Sequence, residues 1–194
     1  MLKVTKFAVA ASGSGTVFQS IIDAHIPHGE VVALISSRAD AGALDRARAA
    51  DIPAFYIDHT MPQKQIDAAI IKVLKDSGAQ FLFLAGYLKK VSPAILAEVP
   101  VYNIHPALDL ERFGGKGMYG QNVHQAVIDA GEKHSGATIH EVNAEYDRGK
   151  ILAQTSRVAV LPDDTAETLQ KRVQAKEYKL VTKFISEFTR NMRL

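Results

Sequence analysis

Asn103 and His105, separated by Ile104 and followed by Pro106, place an amide and an imidazole two residues apart. In an extended segment that spacing puts both side chains on one side. An amide N–H can hold an oxyanion while an imidazole handles a proton. A polar pair at a strand end also has a purely structural reading, and local pattern does not choose between them. A second candidate is the run Glu145-Tyr146-Asp147-Arg148-Gly149. Its plain reading is a hairpin loop with solvated charges. Were Asp147 folded against His105, its charge would favour the imidazolium and raise the histidine pKa, and it could relay a proton through water. The third is Ser12-Gly13-Ser14-Gly15-Thr16, a tight turn whose following helix could hold an anion on its first amides. Its spacing is not the Walker pattern, and it lacks the third glycine of the dinucleotide fingerprint.

The other histidines carry less. His25 and His28 flank Pro27, His59 falls in a loop, and His124 and His134 lie on or just after a helix. His140 falls in a strand, where it could approach His105. No spacing among them suits a metal, and with no cysteine the chain has neither disulfides nor thiolate ligands. The expectation is no metal.

The elements that must position these residues read as an α/β alternation. Apolar runs at Lys6–Ala11, Val31–Ile35, Ala54–Ile57, Phe81–Ala85 and Val101–Ile104 predict five strands. Helical patterns fill the intervals at Val17–Ala24, Ala41–Ala50, Ile66–Leu74 (stopped by Gly78) and Ala94–Glu98 behind Pro93. Buried strands alternating with helices imply an open doubly wound, mostly parallel sheet with helices on both faces. Residues 108–120, with four glycines, read as a long loop, whose Lys, Met and Tyr suggest a working role. Val123–Ala130 then reads as a helix closed by Gly131. Ala137–Val142 and Ile151–Val160 read as an antiparallel pair of strands, and Thr165–Arg190 as a long helix. Asp164 is the predicted N-cap of that helix, with Glu167 closing a capping box. One domain over residues 1–194 is expected, with no internal repeat or linker.

Composition narrows the partners. Twenty-three Lys plus Arg against 21 Asp plus Glu leave a net charge of +2, with no basic footprint for nucleic acid. The N-terminus is broken too early, at Ser12-Gly13, for a signal peptide, and no run reaches the length of a membrane span. The expected setting is cytoplasmic and the expected partners are small molecules, with no nucleic acid and no membrane. Monomer and homodimer both remain open.

In order along the chain, S-G-S-G-T, L-A-G-Y before S-P, N-I-H-P, G-G-K-G-M-Y-G, S-G-A-T-I-H and Y-D-R-G resemble the phosphoribosylglycinamide formyltransferases, folate-dependent enzymes of purine biosynthesis. The resemblance runs from about Phe7 to about Phe188, and N-I-H-P followed by G-G-K-G-M-Y-G is its most specific part. It implies a Rossmann-like formyltransferase fold, with 10-formyltetrahydrofolate as co-substrate and glycinamide ribonucleotide as acceptor. By that resemblance Asn103 polarises the formyl oxygen, His105 handles the proton, and Asp147 holds His105 charged and shuttles protons. Gly15, Thr16 and Val17 fall in the stretch that holds phosphate and ribose, while Gln174 and Glu177 help hold the same substrate. Leu88, Lys89, Lys90 and Val91, with Asn103, belong to the folate side. Asn143, Ala144, Glu145, Tyr146 and Asp147 form the loop around the pterin.

Three departures from the family pattern stand out. Val17 replaces a usual Asn and has no side-chain hydrogen bond to give. The folate-contacting arginine expected before the third helix has no counterpart, since the stretch from Asp58 to Gln65 is shortened. Between Pro106 and Gly114 the chain reads Ala-Leu-Asp-Leu-Glu-Arg-Phe, one residue longer than the family and carrying Asp109 and Glu111 just beyond His105. Pointing inward, those two acids would weaken the binding of anionic ligands. The rival readings are a formyltetrahydrofolate hydrolase, a formyltransferase for another amine, and a nucleotide- or folate-binding protein drifted from catalysis. The hydrolase and a tRNA formyltransferase would each be expected to carry a further domain.

Overall fold

The computed structural model describes residues 4–192. Five parallel strands carry the first half: β1 (Thr5–Ala10), β2 (Gly29–Ser36), β3 (Ala54–Tyr56), β4 (Leu82–Leu84) and β5 (Val101–His105). Two antiparallel strands, β7 (Thr138–Glu141) and β8 (Ile151–Gln154), complete a seven-stranded sheet of order β3-β2-β1-β4-β5-β7-β8. The predicted strand over Ile151–Val160 is in fact broken. Its second part, β9 (Val158–Ala159), leaves the sheet to pair with β6 (His134–Ser135).

Alternation along the strands builds a core on each face of the sheet. Phe7, Val9, Phe81, Phe83, Tyr102 and Ile104 point to one side. There they meet α1 (Thr16–Asp23), α2 (Gly42–Ala49), α6 (Gln121–Asp129) and α7 (Ala166–Asn191). Rings of Phe7, Phe81, Tyr102, Phe184 and Phe188 pack together within this layer. Ala8, Ala10, Ile35, Leu82 and Leu84 face the other side, under α3 (Gln63–Ser77) and α4 (Pro93–Leu96). The doubly wound arrangement expected from the sequence is therefore present, with antiparallel strands at its C-terminal edge. Among the described residues no helix is long and apolar enough to cross a membrane.

Two local expectations need correction. Thr165, not Asp164, caps α7: its hydroxyl accepts from Thr168 N–H, and the Thr168 hydroxyl accepts in return from Thr165 N–H. Asp164 instead ion-pairs with Arg172 and accepts from Leu161 N–H, tying the approach of the chain to the first turns of the helix. The stretch read as a loop over 108–120 begins with a helical turn, α5 (Leu110–Phe113). Asp109 caps it by accepting from the N–H groups of Glu111 and Arg112 at 3.0 and 3.1 Å.

Candidate active site

The order of winding reverses between β1 and β4, which leaves a crevice beyond their carboxyl ends where open α/β sheets bind ligands. A cleft of about 730 Å³ occupies that place. At one end lie Gly13 to Val17, with Gln170, Gln174 and Glu177 of α7. At the other lie Ala85 to Val91 after β4, with Val142, Asn143, Glu145, Tyr146 and Asp147 after β7. Asn103 and His105 close the floor, and Gly115 to Gly120 form one wall. Of the substrate- and folate-side residues that the family resemblance named, Ala144 does not line this cleft. Its exposed side chain leaves the contacts of that loop to its neighbours. The two acids beyond His105 do not line it either. Asp109 is spent on its cap, and Glu111 is exposed, 4.0 Å from Arg148.

At the first end, Gly15 adopts φ 73° as the N-cap of α1. A Cβ there would meet Ala43 Cα at 2.7 Å, so both conformation and space require glycine. Ala43 N–H donates to Gly13 O, and Arg46 donates to Ser14 O at 2.8 Å. The turn is thereby fixed from behind, and Gly15, Thr16 and Val17 at the start of α1 line the cleft. Glu177 is buried on α7, and burial pushes its carboxyl up to about 7.

The floor is a network around Asp147. Its Oδ2 lies 3.6 Å from His105 Nδ1 and accepts from Gly115 N–H at 2.8 Å. Its Oδ1 accepts from Asn103 Nδ2 at 3.3 Å and sits 3.2 Å from His140 Nε2. Asn103 Nδ2 is also 3.2 Å from His140 Nε2. These last three atoms form a near-equilateral triangle. The amide nitrogen thus has two partners for its two hydrogens, and a ligand oxygen entering the cleft would compete with His140 Nε2 for one of them. Asp147 holds φ 51°, a left-handed conformation that aspartate tolerates better than most residues.

The tautomer of His105 follows from its partner. His105 Nε2 lies 2.7 Å from the Phe113 carbonyl, which can only accept. Nε2 therefore carries the hydrogen, and in the neutral ring Nδ1 keeps its lone pair. Burial lowers the His105 pKa, with a smaller push from His140, and outweighs Asp147 and the Phe113 carbonyl, which both favour the cation. Asp147 thus favours the imidazolium, as its charge predicts, while burial is the larger and opposing influence. For Asp147, burial acts upward. The hydrogen bond with His140, the His105 ring and Gly115 N–H outweigh it and hold the carboxyl below its usual range.

Sequence reading missed His140 as a site residue, together with His124. Strand pairing sets His140 directly opposite Asn103 across β5 and β7, a relation no local pattern reveals. Its Nδ1 donates to Glu141 O at 2.7 Å, which aims Nε2 at the network. His124, on the buried face of α6, lines the cleft with its Nδ1 unpartnered. Burial first, and then His105, push its pKa down to about 4.

That shift predicts acid sensitivity. The unfolded chain takes up a proton near pH 6.5, while the folded one waits until about pH 4. Stability present above pH 6.5 is therefore lost as pH falls toward 4, by on the order of 2 to 3 kcal/mol. Denaturant unfolding at pH 7.5 and pH 4.5 should show a clearly smaller drop in His124→Asn than in the native protein. Equal drops in the two would contradict this reading.

Comparison with known proteins agrees with this geometry. The family model described as Formyl transferase matches residues 5–185. The chain is 41% identical over 189 residues to the chloroplastic phosphoribosylglycinamide formyltransferase of Arabidopsis thaliana, covering 93% of this chain and 64% of that protein. It is 35% identical over 192 residues to phosphoribosylglycinamide formyltransferase of Haemophilus influenzae, covering 95% and 87%. The chain thus spans a little under two thirds of the plant relative's length and most of the bacterial one's. Among solved structures, glycinamide ribonucleotide transformylase 1 from Symbiobacterium toebii superposes with a TM-score of 0.88 at 34% identity, over 97% of this chain and 89% of that one. With a family model matched over nearly its whole length and relatives above 30% identity, the chain belongs to the formyl transferase family.

Proposed function

We propose that the protein transfers the formyl group of 10-formyltetrahydrofolate to the amine of glycinamide ribonucleotide. The observation that carries this reading is the floor of the cleft. There His105, with Nε2 held by the Phe113 carbonyl, turns Nδ1 toward Asp147, and the Asn103 amide N–H groups lie beside the same carboxylate and His140. In this account Gly15, Thr16 and Val17 hold the phosphate and ribose with Gln174 and Glu177. Leu88 to Val91 and the loop of Asn143, Glu145, Tyr146 and Asp147 hold the folate. Val17 contributes its backbone N–H where relatives would add a side chain.

The glycinamide amine attacks the formyl carbon, forming a C–N bond and a tetrahedral intermediate whose oxygen carries the negative charge. Asn103 donates to that oxygen. The attacking nitrogen sheds a proton to His105 Nδ1, and the resulting imidazolium faces Asp147, whose charge offsets it. Return of a proton to N10 releases tetrahydrofolate as the C–N10 bond breaks. No step requires a metal, and no metal-binding cluster occurs among the described residues.

The test mixes pure protein with 10-formyltetrahydrofolate, with and without glycinamide ribonucleotide, and follows folate absorbance. Turnover that depends on the ribonucleotide is the expected result. Turnover without it would instead identify a hydrolase, and binding without turnover a protein that has lost catalysis.

A further inference from the structure

We infer that Asp109 is a positioning residue for this reaction: by capping the turn α5 it fixes which nitrogen of His105 is left free. The inference rests on the proposed formyl transfer, but its structural half can be tested apart from activity. Asp109 accepts from Glu111 N–H at 3.0 Å and Arg112 N–H at 3.1 Å. Its own carbonyl accepts from Phe113 N–H at 3.0 Å, closing the turn. Four residues cannot hold a helical turn by intrinsic propensity. This one depends on its cap, on the buried Leu110 and Phe113, and on Arg112, which pairs with Glu132 and lies over the Phe113 ring.

What the turn delivers is the Phe113 carbonyl, 2.7 Å from His105 Nε2. If that acceptor is withdrawn, no other group among the described residues hydrogen-bonds to Nε2–H. The neutral ring can then place its hydrogen on Nδ1, where Asp147 Oδ2 waits 3.6 Å away. A histidine in that form has no lone pair toward the attacking amine. The same segment reaches Asp147. Gly115 N–H donates to its carboxylate, and a Cβ on Gly114 would stand 2.4 Å from Leu110 O and 2.9 Å from Asp147 Cβ. The turn is thus seated against both members of the pair. Asp109 itself is exposed and outside the cleft wall, so replacing it removes no group that touches substrate. The groups facing His105 are Asp147 from the β7–β8 loop, His140 from β7 and His124 from α6, and all three survive the substitution.

The experiment compares the full-length protein with Asp109→Ala and Asp109→Ser, serine being an equally good N-cap. Long-range proton–nitrogen NMR of the His105 ring reads the tautomer directly, and a pH profile of kcat reads its consequence. The native ring should carry its hydrogen on Nε2. D109A should show a mixture with the Nδ1–H form, a roughly 5- to 10-fold lower kcat, as a lost cap would give, and a displaced acid limb. D109S should restore all three. A D109A protein that keeps the Nε2–H ring and the native profile would overturn the inference, as would a D109S protein behaving like D109A. Should D109A not fold, Asp109→Asn and Asp109→Gln form the cap-competent and cap-poor pair in its place. A native protein without formyl transfer would refute the proposed function while leaving the tautomer comparison to decide the role of Asp109.

Discussion

Replacing His105 with glutamine is expected to lower kcat by about 100- to 10,000-fold, the range for losing a positioned acid–base group. The fold should survive, because a glutamine amide can still donate to the Phe113 carbonyl that His105 now meets at 2.7 Å. What disappears is the lone pair at Nδ1. The amine would attack with no group placed to take its proton, and the intermediate would revert. The native enzyme's own pH dependence should agree. Burial lowers the His105 pKa, so the base form persists below the ordinary histidine range, and kcat/KM should hold its value until the pH drops beneath about 6.5. Steady-state rates across pH, with thermal melts of both proteins, check the two parts together. A variant within tenfold of the native rate would remove His105 from the proton path.

Asn103→Ala is expected to cost about 100- to 1,000-fold in kcat, the usual loss for one oxyanion donor. The KM for either substrate should change less than kcat, since the oxyanion exists only after attack. Asn103→Asp should be no better than alanine. It would exchange a donor for an acceptor and set a second carboxylate near Asp147, where Asn103 Nδ2 now donates at 3.3 Å. A fall in affinity with kcat intact would mean instead that Asn103 holds the ground state.

Much of this fold can be read from the chain because its strands are buried on both faces. Phe81 to Ala85 has no polar residue to hide, so its run is continuous, and Gly78 announces the end of α3 by adopting φ 68°. The edge strands are less visible. Ile151 to Val160 is broken because β8 ends in the sheet while β9 turns away to β6. The cap of α7 was misplaced by one residue because Asp164 and Thr165 are both good capping types, and Arg172 drew Asp164 aside.

The site divides in the same way. Asn103 and His105 sit two apart on one strand, so local alternation could pair them. Asp147 is far along the chain and arrives in a left-handed turn, and His140 arrives by cross-strand register. Neither relation leaves a mark in neighbouring residues, and the ordered motifs of the family supplied Asp147 alone. Asp109 and Glu111 looked like charges that could repel a ligand. Three-dimensional context turned the first into a cap and left the second in solvent near Arg148.

The most direct test of the account uses 10-formyltetrahydrofolate labelled with carbon-13 in the formyl group. After incubation with the protein and glycinamide ribonucleotide, mass spectrometry locates the label. The account predicts that it appears in an N-formylated ribonucleotide, and that Asn103→Ala and His105→Gln nearly abolish the product. Label recovered only as free formate, or product formed equally well by both variants, would contradict it.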